Sequence, residues 1–355
     1  MKRFVYTSAP ARVVFGSGTL SVLGEEIERL GCSRVLVLST REQSGQARDV
    51  AERLGAKAAG VFDGAMMHTP VSVTEEAMKV VSELGVDCTL AVGGGSTIGL
   101  GKAIALRTDL PQVCVPTTYA GSEMTPILGE TADGVKKTQR TPKVLPEVVV
   151  YDVDLTLSLP PALSATSGMN AIAHAVEALY AEDRNPVISL MAEEAVSALT
   201  RALPGVVADG SDREARSDAL YGAWLCGICL GSVGMSLHHK LCHVLGGAFD
   251  LPHAETHTIV LPHVVAYNAS AAGDAMAALS RALGADDPAQ ALYALAGKLG
   301  APRALREIGM PEEGIDHAAD LAIENPYWNP RPIEREAIRR LVSRAWAGER
   351  PDPAS

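Results

Sequence analysis

The stretch "DCTLAVGGGSTIGLGKAIALR", residues 87–107, decides the fold class. It begins with an apolar run that predicts a buried β-strand over 87–95, and it continues with a helical pattern over 96–107. Three glycines join the two patterns without a longer loop. A strand that passes directly into a helix is the building unit of parallel sheets that are covered by helices.

The same alternation continues on both sides of this stretch. Continuous apolar strands, as opposed to alternating ones, indicate a sheet that is buried on both faces, so we expect a doubly wound parallel α/β sheet. The predicted strands cover 34–40, 58–64, 87–95, 112–118 and 147–155, and the predicted helices between them cover 47–55, 72–85 and 96–107.

The pattern becomes entirely helical after the proline pair at 160–161. We therefore predict an α/β domain over 1–158 and an all-helical domain over 159–355. The predicted helices of the second domain cover 169–182, 187–202, 212–237, 239–248, 258–281, 288–300, 302–308, 312–323 and 333–347.

Charge and composition exclude several classes of partner. The 355 residues carry a formal net charge of −11 and no run of Lys or Arg, which argues against nucleic acid and anionic membranes as partners. The N-terminal residues lack a continuous apolar segment of the signal-peptide kind, so we expect a cytoplasmic protein.

Residues 219–237 carry no charge and approach the length of a membrane span. Their several glycines, in a chain without other membrane features, favour a buried central helix. The six cysteines are scattered through apolar segments, as reduced core thiols are. Cys226 and Cys229 form a C-x-x-C in this segment, and the less favoured alternative for them is a redox or zinc site.

Two loops predict a nucleotide site. The glycines after the 87–95 strand let a phosphate approach the backbone at a helix N-terminus, although their spacing is G-x-G-x-x-x-G, and a plain tight turn is the alternative. A hydroxyl-rich loop, "VPTTYAGSEMTP" (115–126), follows the next strand. Neighbouring strand ends form the crevice where open α/β sheets bind nucleotides. The candidate residues are Gly93, Gly94, Gly95, Ser96, Thr97, Thr117, Thr118 and Ser122.

Histidines concentrate in the helical half. Six of the nine lie within "SLHHKLCHVLGGAFDLPHAETHTIVLPH" (236–263), and His239 and His243 are spaced i, i+4 on a predicted helix. In "SGMNAIAHAVEALY" (167–180), Asn170 and His174 share a helix face in the same way. Scattered core or surface histidines are the alternative, but such a concentration is hard to ascribe to packing.

These motifs, in this order over about residues 10–270, resemble the iron-containing alcohol dehydrogenase family. The resemblance implies a Rossmann-like N-terminal domain and a helical C-terminal domain, the architecture shared with dehydroquinate synthases. It places three metal-ligating histidines on His174, His239 and His253, and a further active-site histidine on His243. The family's aspartate ligand falls on Asn170.

The asparagine at position 170 affects whether this chain can bind the family's metal ion. A neutral amide is a weak ligand for a transition metal, and Glu177 lies about two helical turns from Asn170, too far to take its place. We therefore expect no required metal. The alternative is a metal-dependent alcohol dehydrogenase in which Asn170 still ligates; a non-enzymatic nucleotide-binding protein is a third and remoter class.

Within the family, "SGMNAIAHAVEALYA" and "NPYWNPRP" (325–332) resemble the maleylacetate reductase branch. Members reduce the carbon–carbon double bond of maleylacetate to 3-oxoadipate in bacterial degradation of aromatic compounds, with NADH or NADPH. The resemblance implies a small dicarboxylate substrate and a homodimer. Tyr327, Asn329 and Arg331 are candidates for binding a substrate carboxylate; a loop made rigid by proline, with Trp328 packed, is the alternative.

Cofactor preference depends on the residues after the 34–40 strand. A selective NAD site holds the ribose with an acidic residue there, but this chain has Ser39, Thr40 and Arg41. Ser39 is a further cofactor-binding candidate, and we expect tolerance of both NADH and NADPH.

Overall fold

The structure is a computed structural model that describes residues 4, 6–7, 12–132, 135–324 and 327–353. Contacts within the chain define two compact units, one formed by residues 8–159 and one that contains residues 160–355.

A parallel sheet forms the centre of the first unit. Its six strands run in the order β1-β8-β5-β4-β2-β3, and two further strands, β6 and β7, pair antiparallel with each other. The strands are β1 (Arg12–Gly16), β2 (Val35–Leu38), β3 (Ala58–Phe62), β4 (Cys88–Gly93), β5 (Gln112–Pro116), β6 (Ile127–Ala132), β7 (Val135–Arg140) and β8 (Val148–Asp152).

Helices cover both faces of this sheet, as the continuous apolar strands predict. In β2, Val35 and Val37 join the core under one pair of helices, while Leu36 and Leu38 join the core under the other pair. The doubly wound parallel fold is therefore confirmed. The first pair is α1 (Leu23–Arg29) and α2 (Ser44–Leu54), and the second is α3 (Val71–Leu84) and α4 (Gly95–Thr108).

The second unit is helical. Helix α5 packs against α6, α7 and α9, and α8 packs against α9 and α12. The helices are α5 (Pro161–Tyr180), α6 (Pro186–Ala208), α7 (Arg213–Ser232), α8 (Leu237–Phe249), α9 (His253–Asn268), α10 (Gly273–Leu283), α11 (Pro288–Lys298), α12 (Gly314–Ile323) and α13 (Arg335–Ala347).

The helix predictions differ most from the structure at three places, while α5 also begins eight residues before the predicted 169 and α6 ends six residues after the predicted 202. The single helix expected over 258–281 is two helices, because the chain turns at residues 269–272 and α10 begins at Gly273. The helix expected over 212–237 ends at Ser232, because Val233 has an extended backbone. The segment 302–308 forms only a 3₁₀ turn, Leu305–Ile308.

No single described helix has the length and apolarity that a membrane span needs; α7 and α8 meet that test only as a pair bent by 94°. The inner side of α7 is buried, and Cys226 and Cys229 lie there as free thiols with no exposed surface. All six cysteine positions are buried and free, as expected of core thiols.

Candidate active site

The glycine loop connects β4 to α4. Gly93 has a φ of +153°, and a Cβ at this position would lie 2.5 Å from Thr97 Oγ1, so only glycine fits. Gly94 caps α4, and Gly95 is the first residue of that helix. The N–H groups of Gly95 and Ser96 open the helix and have no partner inside it, and Gly95 is exposed. This arrangement suits a phosphate.

Neighbouring loops are hydrogen-bonded to the glycine loop. The backbone N–H of Thr117, just after β5, donates to Gly93 O at 3.2 Å. Gln43, which follows β2, donates from Nε2 to Thr117 Oγ1 at 2.8 Å. The loops after β2, β4 and β5 therefore form one connected surface at the carboxyl end of the sheet.

Lys102 anchors the hydroxyl-rich loop to the same helix. Its side chain is fully buried, and burial lowers the pKa of its ammonium to about 7. Nζ donates to the carbonyl oxygens of Ser122, Thr125 and Ile127 at 2.6, 2.7 and 2.9 Å. Because Lys102 belongs to α4, it ties the second loop to the helix that follows the first.

The cofactor candidates differ in accessibility. Ser39 and Thr97 are fully buried, and their hydroxyl oxygens find no partner within the described residues. Thr117 is also buried, with its hydroxyl bound by Gln43. The candidates that reach the surface are Gly94, Gly95, Ser96, Thr118 and Ser122.

In the helical unit, α5 presents three polar side chains on one buried face. Asn170, His174 and Glu177 are spaced by four and three residues, and none is more than 4% exposed. Asn170 Oδ1 and His174 Nδ1 find no hydrogen-bond partner within the described part of the chain. Buried polar atoms are normally paired, so these two mark a place for a polar ligand.

Glu177 is the centre of this face. Its carboxylate accepts three N–H donors: the backbone amides of Ser236 and His238 at 2.9 and 2.8 Å, and His239 Nδ1 at 2.7 Å. An ionised carboxylate only accepts hydrogen bonds, so Nδ1 of His239 must carry a proton. The other ring nitrogen, Nε2, is buried and has no described partner. Glu177 thereby fixes which face of His239 is offered to a ligand.

Six imidazoles form a continuous group around His239. Ring centroids lie 5.1 Å apart for His174 and His239, 5.0 Å for His239 and His257, 6.3 Å for His239 and His243, and 4.3 Å for His253 and His257. The sixth ring, His238, is hydrogen-bonded to His257 between Nε2 and Nδ1 at 2.9 Å.

Burial divides this histidine group into two kinds. Burial lowers the pKa of His174, His238 and His257 well below the ordinary value, so these rings are neutral. His243 and His253 are exposed and remain the members that solvent or substrate can reach. His263 is separate: it lies buried near Arg344, and burial lowers its pKa to about 4.

The family's metal positions carry a different set of ligands in this chain. They supply an amide and three imidazoles but no carboxylate to offset the charge. Among the described residues, the His, Cys, Asp or Glu group whose ligand atoms lie within 4.8 Å of one another is instead His238, Cys242 and His257. In that group the two imidazoles already satisfy each other by their hydrogen bond.

The predicted carboxylate-binding segment lines a cavity of about 320 Å³ with Tyr327, Asn329 and Arg331. Residues 325–326 of the motif lie outside the described residues. Asn329 forms a reciprocal amide pair with Asn268, at 2.7 and 3.1 Å. The Arg331 guanidinium donates to Tyr267 O and packs 4.0 Å above the Tyr267 ring.

Two residues join the site without being predicted. Glu177 shares a helix face with Asn170 and His174, and that spacing was a usable signal. Lys240 follows His239 directly, and its Nζ lies 5.8 Å from the centroid of the Tyr327 ring. Sequence spacing alone gives no sign of this contact, because the two residues are far apart in the chain.

Comparison with known proteins identifies the family. Residues 10–153 match the iron-containing alcohol dehydrogenases, and residues 164–346 match the C-terminal part of the Fe-containing alcohol dehydrogenase family. The chain belongs to the iron-containing alcohol dehydrogenase family.

Within the family, the chain is similar to maleylacetate reductases. It is 58% identical to the maleylacetate reductase of Rhizobium sp. over 99% of this chain and 100% of that one. It is 58% identical to that of Sphingobium indicum over 98% of each. The crystal structure of the Agrobacterium tumefaciens maleylacetate reductase matches with a TM-score of 0.97 and 57% identity, covering 99% and 100% of the two chains.

The glycine loop is tested by Gly95→Asp. A Cβ at this position lies 3.9 Å from its nearest neighbour, Ala120, so the variant should fold. The added charge opposes the cofactor's phosphates, and the Kd for NADH or NADPH should rise well over tenfold, or about 1.4 kcal/mol. Fluorescence titration measures it, with Gly95→Ala as the uncharged control. Equal Kd values for the wild type and both variants would show that the cofactor's phosphates do not bind at this loop.

The role of Glu177 is tested by Glu177→Gln. The amide keeps the shape but turns one of two acceptors into a donor, so one of the three N–H groups loses its partner, at about 1–3 kcal/mol. If the NH₂ group instead takes the place of Oε2, the backbone N–H of Ser236 loses its acceptor and His239 Nδ1 faces a donor, which reverses the ring tautomer. We expect kcat to fall by at least roughly 10²-fold, because a wrong tautomer of a catalytic histidine costs up to about 10⁴-fold.

The control for this variant is Glu194→Gln, an exchange on the outside of α6. The cofactor Kd should stay unchanged in both. A lower melting temperature of Glu177→Gln with unchanged kcat would reduce Glu177 to a purely structural residue.

Proposed function

We propose that this protein reduces the carbon–carbon double bond of maleylacetate to 3-oxoadipate, with NADH or NADPH as hydride donor and without a required metal. The observation that carries the proposal is the 58% identity to a maleylacetate reductase along essentially the whole of both chains. The exposed imidazoles and the hydroxyl-rich loops supply the groups that this chemistry needs.

The substrate explains why donors could replace a metal. Its double bond is conjugated with the C4 ketone, so hydride addition at C2 moves an electron pair onto the ketone oxygen as an enolate. Hydrogen-bond donors stabilise such a delocalised oxyanion, and a general acid then protonates C3. In total, the double bond gains one hydride from the nicotinamide at C2 and one proton from the protein at C3.

His243 and His253 are the proposed donors. Both are exposed members of the histidine group, whereas His174, His238 and His257 are buried and neutral. His239, held by Glu177, and the unpaired Asn170 Oδ1 complete the polar surroundings. The hydride comes from the cofactor bound at the glycine and hydroxyl loops of the first unit.

Both cofactors should serve. The segment after β2 begins with Ser39 and Thr40 and continues with the exposed Arg41, whose guanidinium can accept a 2′-phosphate; the exposed Glu42 follows it, so neither charge stands alone in this segment. A bare carboxylate there would select NADH and a bare guanidinium would select NADPH.

The decisive assay follows absorbance at 340 nm with maleylacetate, using NADH and NADPH in turn, before and after EDTA treatment. We expect oxidation of either cofactor and retention of most activity in metal-free enzyme. Asn170→Asp should raise affinity for Zn²⁺ or Fe²⁺ without faster reduction of maleylacetate. Activity that disappears on chelation and returns with added metal would favour a metal-dependent dehydrogenase.

His243→Ala and His253→Ala should each lower kcat by about 10²-fold or more, the scale for losing an acid or an oxyanion donor. His317→Ala, on α12, is the matched control and should leave kcat unchanged. The cofactor Kd should stay constant in all three variants. Wild-type kcat in either of the first two would contradict the assigned role.

A further inference from the structure

We propose that Lys240 and Tyr327 form an anion subsite that binds a carboxylate group of the substrate. The inference rests on the proposed function and deepens it, because it names the cation that selects a dicarboxylate. The juxtaposition that carries it is a lysine ammonium that lies 5.8 Å from the ring centroid of a tyrosine whose buried hydroxyl has no partner among the described residues. The lysine stands between His239 and His243 on α8.

Lys240 stands on α8, one residue after His239 and three before His243, so it borders the exposed His243 on the helix surface. Its side chain is half-buried. Within the described residues no carboxylate oxygen lies within ion-pair distance of Nζ, and its recorded contact is the Tyr327 ring at 5.8 Å. A partly desolvated cation without a counter-ion is best satisfied by an anionic ligand.

Tyr327 supplies the second half of the subsite. Its hydroxyl oxygen is buried and finds no partner among the described residues. Burial, with the nearby Glu177 carboxylate, raises the pKa of the phenol, so the hydroxyl stays protonated and can donate. Tyr327 also lines the 320 Å³ cavity, while its hydroxyl oxygen itself is buried.

Arg331, the arginine of the same segment, is already engaged by the fold. Its Nη1 donates to Tyr267 O at 3.1 Å and to Pro353 O at 3.2 Å, and its guanidinium covers the Tyr267 ring. It therefore holds the segment and the C-terminal residues in place. Within the described residues, Lys240 has no such hydrogen-bond partner and borders the histidine group.

The test compares Lys240→Met with Lys240→Arg in steady-state reduction of maleylacetate. Methionine keeps the length and apolar stem but removes the charge, so KM for maleylacetate should rise tenfold or more while kcat changes less than threefold. Arginine should restore most of the affinity. Lys298→Met, an exposed exchange on α11, is the control for loss of a lysine.

Two readouts separate a binding role from a structural one. The cofactor Kd and the melting temperature should be unchanged in Lys240→Met, while the Kd of 3-oxoadipate, titrated by fluorescence, should rise with KM. Active wild type with unchanged KM in Lys240→Met would overturn the subsite and leave the proposed function standing. If the wild type fails to reduce maleylacetate, the proposed function is wrong. Independently of activity, equal Kd values of 3-oxoadipate for the wild type and Lys240→Met would overturn the subsite.

Discussion

The buried carboxylate of Glu177 is the interaction on which the helical unit depends. Removing an ionised carboxylate from water costs several kcal/mol unless donors replace the lost hydration. The start of α8 provides them, because its first N–H groups have no partner within the helix and carry the positive end of its dipole. Glu177 therefore accepts hydrogen bonds from N–H groups at the start of α8, and these N–H groups replace the water that the carboxylate loses on burial. The bond to His239 follows from the same placement, so the order of the imidazoles is set before any ligand arrives.

The first unit uses the opposite charge in the same manner. Lys102 is as deeply buried as Glu177, and carbonyl oxygens surround it where N–H groups surround the glutamate. Each side chain joins a helix to a later segment, 20 to 25 residues on for Lys102 and 59 to 62 residues on for Glu177. Both sites are thus anchored to helices by buried, hydrogen-bonded side chains.

The features of the fold and site that depend on a local residue pattern can be predicted from the sequence. Five sheet strands are predictable because a strand buried on both faces is a continuous apolar run. The edge strand β1 begins with the exposed Arg12, and the hairpin β6–β7 is largely polar. Helix spacing brings Asn170 and His174 together, and the motif order identifies the family. Spacing fails for His263, which lies ten residues beyond His253, about 15 Å along α9, and packs near Arg344 instead. Contacts between distant segments, such as Lys240 with Tyr327, depend on how helices pack, and no local pattern encodes that.

The burial of the thiols has a consequence for the enzyme's own survival. A conjugated enone such as maleylacetate is an electrophile that alkylates thiolates, so an accessible cysteine beside the substrate would be consumed by it. Cys242 precedes the exposed His243 directly, yet it is buried, and burial raises its pKa far above the ordinary value. The other five thiols are also buried with raised pKa values, namely Cys32, Cys88, Cys114, Cys226 and Cys229. Only the thiolate is a strong nucleophile, so the fold offers a reactive substrate histidines and hydroxyls but no sulfur to attack it.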